Sequence, residues 1–509
     1  MKMAMNMLKM PALCLIGLSA TAQGDQLVAE ASAPRLFLHV DMKAGMMQRE
    51  KLIGFLREAA ADGYNAVLWE VEDKVRFDAC PDVAYAGAYS KDAFKSILAE
   101  AERLGLEPIP LLQTFGHAEY VLSRERYVSW REKKDDPTCY CVLNSEVRAF
   151  LAALLKEYLD LFGPKVREFH LGGDEARVFG TCPACSVRNR GALYAEHLAF
   201  LSAVLKAHGV RPGIWCDMVL SALGDGAEAL VPSEFVIWQW DYGVGNGKKN
   251  RWTDRVDLLR KRGYDIVYCG ASQCAGDDPF LVRYAYHANN LDALAAKART
   301  DGAKGFCVTS WSVRGAPKSV QRPLFAYAAK RFLSPSAESS ADLREAMKRS
   351  FGESVPFDAL AKATEGTGQM GLFDLRDCLR HFDSDHPLDV KRRALPNDDA
   401  IRAIRDIEKD SSEALAELKG VPQGNARPLF ATFMRGLELK VGYCSACGQW
   451  NGTKPLAPPD KAKAAAYYAE EETMPSAEIS ARTALDKLQD HFCRKDMRSA
   501  AEASERKRD

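Results

Sequence analysis

The sequence has no surplus of charge of either sign: 69 basic and 69 acidic side chains cancel over 509 residues. A phosphate-backbone partner needs a concentrated basic face, so nucleic acid is not an expected partner. The densest charge run, SERKRD at the end, has the character of a solvated tail. No stretch approaches ~20 consecutive apolar residues, so no membrane-spanning helix is expected. No GxGxxG follows the first apolar run and no HExxH occurs, which argues against a dinucleotide fold and a helix-borne metal hydrolase site.

The first residues differ from the rest. Lys2 and Lys9 precede the short apolar run PALCLIGL, and Ala20-Thr21-Ala22 follows with the small-x-small spacing of a cleavage site. The expectation is a removable signal over residues 1–22 and a periplasmic or secreted protein. Cysteine is not scarce, with fourteen in the chain. The pairs Cys139/Cys141, Cys182/Cys185 and Cys444/Cys447 stand out, and CPAC and CSAC both have metal-knuckle spacing. Together the two knuckles could form one four-thiolate zinc site. Export would equally allow disulfides, and buried free thiols are the third possibility. Spacing alone leaves all three open.

From residue 35 short apolar runs alternate with amphipathic helical stretches. The runs are LFLHV (36–40), NAVLWE (65–70), PIPLLQ (108–113), REFHLG (167–172), RPGIWCD (211–217), EFVIWQW (234–240), DIVYCG (265–270) and GFCVTSW (305–311). Near-continuous apolar strands separated by helices indicate a parallel sheet buried on both faces. Eight such units over residues 35–335 predict an α/β fold, a (β/α)8 TIM barrel. After residue 336 the strand signal stops, and segments such as SADLREAMKRSF and DAIRAIRDIEKDSSEALAELK predict an all-helical C-terminal region over 336–509.

Barrel chemistry sits where strands end. Here those ends carry His39 and Asp41, then Gln113 followed by His117, then His170 with Asp174 and Glu175. Trp215 and Asp217, Trp238, Tyr268 and Trp311 complete the set. Each has an ordinary structural role available, since acids cap helices and tryptophans pack. Converging at one mouth, carboxylates, imidazoles and aromatic faces match a sugar ring, apolar on its faces and hydroxylated at its rim. The adjacency of Asp174 and Glu175 is informative. Neighbours in sequence point in different directions, so they are ill placed as an acid and an opposing nucleophile. They suit a reaction in which the carbonyl oxygen of a 2-acetamido sugar attacks the anomeric carbon.

The segment HLGGDEA resembles the signature of the family 20 glycoside hydrolases, the β-N-acetylhexosaminidases. HVDMKAG, WEVED, PLLQTFGHAEYVL and WCDM are similar, in the same order, to the hexosaminidase D branch. The resemblance implies an exo-acting hydrolase of terminal N-acetylglucosamine or N-acetylgalactosamine on glycans, retaining in stereochemistry, with no cofactor and no catalytic metal. It makes Glu175 the general acid and base, with a raised pKa tuned by His117 and Asp174. It makes Asp174 the group that orients the acetamide. His117 and His170 fall in the polar network beneath, Trp215, Trp238 and Trp311 wall the pocket, and Tyr268 is the candidate to bond the acetamide oxygen.

Two features depart from the larger family. Its Arg-Gly start to strand one is replaced by RLFLHVD, leaving His39, Asp41 and Lys43 to take over sugar contacts. The acid two residues after the last strand's Trp is replaced by Val313, followed by Arg314. Arg314 and Lys43 keep open a glycosidase for another or a sulfated amino sugar. An inactive sugar-binding relative is the alternative from another class.

Overall fold

A computed structural model describes residues 35–471 apart from 44, 86, 224–229, 248–252, 275–276, 313–315, 366–397, 423–425 and 449–460. The expected signal segment, Val313, Arg314 and the charged tail lie outside the described residues. All eight apolar runs are strands of one closed parallel barrel. They are β1 (Arg35–Asp41), β2 (Ala66–Glu70), β3 (Glu107–Leu111), β6 (Glu168–His170), β7 (Arg211–Trp215), β8 (Val236–Trp240), β9 (Asp265–Gln273) and β10 (Gly305–Ser310), with β10 closing onto β1. The intervening β4 (Arg131–Lys133) and β5 (Asp136–Tyr140) form a separate antiparallel hairpin, which the sequence patterning did not predict.

Side-chain alternation sorts each strand into two layers. In β1, Leu36, Leu38 and Val40 join the outer core beneath the helices, whereas Phe37 faces the barrel interior. Leu68, Ile109, Leu111, Trp215, Trp238, Val267 and Cys307 fill that interior with Phe37. The starts of the strands are locked by Arg35, which bridges Glu107 at 2.7 Å and Glu168 at 3.1 Å. Charges return at the strand ends, above this buried apolar plug.

Helices Arg49–Asp62, Lys91–Arg103, Ser145–Phe162, Arg190–Lys206, Thr253–Lys261, Tyr284–Thr300 and Arg322–Leu333 alternate with the strands. Their ends follow local chemistry. The Asn144 side chain accepts the N–H groups of Glu146 and Val147 to start one. Gly63 at φ +102° ends another in a backbone region costly for any other residue. Between β7 and β8 the described residues hold only a π-helical turn, Met218–Ala222.

Beyond the barrel come helices Ser339–Phe351, Phe357–Glu365, Asp398–Lys419, Pro428–Gly448 and Lys461–Ala469. The last is tied down at several points. Tyr467 and Tyr468 donate to the carbonyls of Phe280 and Pro279. The Glu471 carboxylate accepts from the backbone N–H groups of Lys318 and Ser319, just past β10. The helical part thus braces the loop that follows the last strand.

Candidate active site

The strand ends converge on a buried ionic hub. Glu70, at the end of β2, accepts from His39 Nε2 at 3.0 Å and Gln113 Nε2 at 2.8 Å, and pairs with Lys43 Nζ. All four side chains are buried. Burial alone would raise the Glu70 carboxyl, but Lys43 and His39 outweigh it and hold it well below the carboxylate range. Burial likewise works against the Lys43 charge, and Asp41, Glu70 and Glu72 more than restore it. Lys43, expected at the sugar, is here drawn into the hub, whereas Glu70 does not stand among the residues singled out for the sugar. The position of Glu70 at a strand end was the available signal.

Asp41 spends both oxygens on backbone, accepting Lys43 N–H at 2.7 Å and Ser312 N–H at 2.9 Å. It ties the loops after β1 and β10 together, a different task from gripping a hydroxyl. Lys43, one of the two cations suggested for a sulfate, is paired with Glu70 and Asp41, while Arg314, the other, lies outside the described residues. His39 lies edge-on to Trp311 at 4.9 Å and accepts from Ser310 N–H through Nδ1.

His170 accepts the Gly172 N–H through Nδ1, which puts its own proton on Nε2. That Nε2 is buried without a partner, as are Gln113 Oε1 and Trp215 Nε1. Burial holds His170 well below the ordinary histidine range, so it stays neutral. The chain then turns through Gly172 at φ +66°, where a Cβ would fall 2.1 Å from Gln113 Oε1. Glycine is required there by both conformation and space.

The catalytic candidates follow. Asp174 is buried, its Oδ2 is 3.4 Å from His117 Nε2, and its Oδ1 has no partner. Glu175 is more open, with 39% of its side chain exposed, and its Oε2 lies 3.6 Å from the same His117 nitrogen. Its backbone N–H is held by Asp217 Oδ2 at 2.9 Å. Among the described residues, the non-glycine positions with positive φ are Glu72, His117 and Glu175, all at this mouth. Each such conformation costs of order 1–3 kcal/mol and persists only where its surroundings dictate it.

The charges differ from the sequence expectation in one respect. The His117 contact, with Arg177 at 3.1 Å, holds Glu175 down to about 2 in the ligand-free site, where a raised value was expected. The proton is elsewhere. Burial opposes the His117 charge, yet Asp174, Glu175 and Glu119 keep it well above the histidine range. Asp217 is pushed up to about 7 by burial and by the Asp174 charge.

The aromatic assignments need sorting. Trp215 forms the floor, with His170 at 4.2 Å and Trp311 at 5.7 Å. Trp311 is only partly buried, beside Lys43 at 4.7 Å. Trp238 is not a pocket wall. It packs edge-on to Phe37 at 4.8 Å and donates to Glu168 at the start of β6, which places it in the barrel plug. Trp240, two residues on and on the same strand face, takes the rim position. Tyr268 is also displaced from its expected role. In β9 the inward residues are Val267 and Cys269, so Tyr268 points outward and donates to Asp301. The tyrosine at the mouth is Tyr242, stacked on Trp240 at 5.5 Å and accepting Trp311 Nε1–H at 2.8 Å.

The chain is similar over its barrel to known proteins. The family model described as Glycosyl hydrolase family 20, catalytic domain, matches residues 52–276. Hexosaminidase D of Bos taurus is 27% identical over 292 residues, covering 54% of this chain and 83% of that protein. Hexosaminidase D of Homo sapiens is 31% identical over 292 residues, and there the match spans 59% of the relative's length. Among solved structures, the chitobiase of Flavobacterium johnsoniae aligns over 90% of this chain and 78% of its own, with a TM-score of 0.51 and 16% identity. That likeness concerns the fold.

Proposed function

We propose, from the match of residues 52–276 to the family 20 catalytic domain and the likeness to hexosaminidase D, that the chain is a family 20 glycosyl hydrolase and an exo-acting β-N-acetylhexosaminidase. It removes terminal N-acetylglucosamine or N-acetylgalactosamine with retention, the 2-acetamido group serving as nucleophile. The observation that carries this reading is Asp174 Oδ1, a buried carboxylate oxygen without a donor. An unpaired acceptor of this kind is costly in the free protein and is satisfied by an incoming N–H. The acetamide N–H supplies it, and the negative oxygen steadies the positive charge that grows on that nitrogen as the oxazoline-like ring closes.

Glu175 faces the leaving oxygen from the more open side of the pair. In the free site its proton is held on His117, 3.6 Å away. A sugar seated over Trp215 and Trp311 takes water from around Glu175, which disfavours its charged form and moves the proton onto it. Glu175 then protonates the leaving group and, as carboxylate, activates the water that opens the ring. Trp240, Trp311 and Tyr242 line the mouth, with Tyr242 the hydroxyl placed to meet the acetamide oxygen.

The test is release of aryl alcohol from N-acetyl-β-glucosaminide and galactosaminide by wild type and Glu175→Gln. Wild type releases it from at least one, and the variant loses ~10²–10⁴-fold. Release from neither sugar would sink the proposal.

A further inference from the structure

Cys141, Cys182, Cys185 and Glu132 come together from three separate segments, with their ligand atoms all within 4.8 Å of one another. We propose that they form a closed structural zinc site that staples the loops carrying His117 and Glu175. Cys141 Sγ lies 3.7 Å from Cys182 Sγ and 3.9 Å from Cys185 Sγ. Tetrahedral zinc with bonds of ~2.3 Å to sulfur sets its ligand sulfurs ~3.8 Å apart. A disulfide would need them ~2.05 Å apart. The CPAC turn also has the internal bond of a metal knuckle, with Cys185 N–H donating to Cys182 Sγ at 3.4 Å.

The fourth ligand is Glu132. It is 2% exposed, its Oε1 accepts Cys182 N–H at 2.9 Å, and its Oε2 is buried with no partner. Among the described residues no ion pair compensates this carboxylate, and a buried oxygen left unpaired beside three thiols is costly unless a cation meets it. Four protein ligands leave no open position, which marks a structural site and not a catalytic one. Binding would deprotonate the three thiols and release their protons. Cys139 is excluded because its Sγ turns to the Tyr140 carbonyl, and Cys444 does not belong to the group. Among the described residues CPAC therefore groups with Cys141 and Glu132 and not with Cys444, while the Cys447 side chain of CSAC lies outside the described residues. A second cluster, Cys274, Asp277 and His287, is not a comparable site. There Asp277 already accepts from His287, Arg283 and the Cys274 N–H.

The placement explains what the staple does. Glu132 lies in β4 and Cys141 directly follows β5, so two ligands fix the hairpin. That hairpin holds the loop after β3, with Tyr140 N–H on Phe115 O at 3.0 Å and Ala118 N–H on Thr138 O at 3.1 Å, on either side of His117. Cys182 and Cys185 sit on the next loop, downstream of Glu175.

Metal analysis of the purified full-length protein, with cobalt reconstitution after chelation, tests this. The expected result is one zinc per chain, lost in Cys185→Ser and Glu132→Gln and kept in Cys444→Ser. Cobalt should give intense tetrahedral bands with sulfur-to-cobalt charge transfer, a readout that does not depend on the variants folding well. Absence of stoichiometric zinc both as purified and after reconstitution would overturn the proposal. So would peptide mapping that finds a disulfide among these cysteines, or zinc that depends on Cys444.

Discussion

Gly116 sits where the loop after β3 meets the catalytic turn. A Cβ there would lie 2.3 Å from the Asp174 carbonyl oxygen and 3.1 Å from Ala176 N, whereas ordinary contact begins near 3.4 Å. Gly116→Ala must therefore push the Asp174–Glu175 backbone away by about 1 Å, because backbone atoms cannot rotate aside as a flexible side chain would. Overpacking of this kind costs about 1–3 kcal/mol of stability, a few degrees in Tm for a domain this large. The effect on catalysis is larger. A displacement of ~1 Å in catalytic groups costs ~10²-fold in rate, which is ~2.7 kcal/mol of transition-state stabilisation. The assay is kcat on an aryl N-acetyl-β-hexosaminide, with Tm measured alongside. Gly54→Ala, on a helix with nothing within 4 Å of the added carbon, is the control and should leave kcat unchanged. Wild-type kcat in a well-folded Gly116→Ala would refute the reasoning, since either the loops do not touch or the position of Asp174 does not matter.

Three further outcomes are expected. Tyr242→Phe removes the acceptor of Trp311 Nε1–H and should lower kcat/KM about tenfold or more, in keeping with ~1–3 kcal/mol for a stranded donor. Tyr268→Phe, on the outer face, should leave hydrolysis within about twofold of wild type while costing ~1 kcal/mol of stability; a reversal of the two effects would contradict the assignment. Asp217 is pushed up to about 7, so the folded state binds its proton more tightly than the unfolded chain does. That contribution is complete below the ordinary carboxyl pKa of ~4 and is lost as pH rises through about 7. The Tm of wild type relative to Asp217→Asn should thus fall between about pH 5 and about pH 8, and parallel curves would exclude a raised Asp217.

The barrel was legible in the sequence because parallel strands covered on both faces read as apolar runs, and all eight do. The β4–β5 hairpin was not. Its strands, REK and DPTCY, are short and polar, and they exist through bonds to Phe115 and Ala118 that no local pattern encodes. The adjacent acids and the histidines His39, His117 and His170 could be picked out, since strand ends are where such barrels place chemistry. Depth and parity could not. Trp238 and Trp240 share a face and differ only in height, and Tyr268 falls on the outer side of its strand. Tyr242 lies beyond the strand altogether. The cysteines show the same limit: a knuckle announces itself by spacing, but its partners Cys141 and Glu132 are set by folding alone.

The central claim is that Asp174 serves the substrate's acetamide. A thiazoline analogue of the bicyclic intermediate tests it most directly, by comparing its inhibition constant for wild type and Asp174→Asn with that of the simple N-acetyl sugar. The account predicts tight binding to wild type and a loss of ~10²-fold or more in the variant, with the simple sugar much less affected. Equal binding of the analogue to both proteins, or no tight binding to wild type, would contradict it.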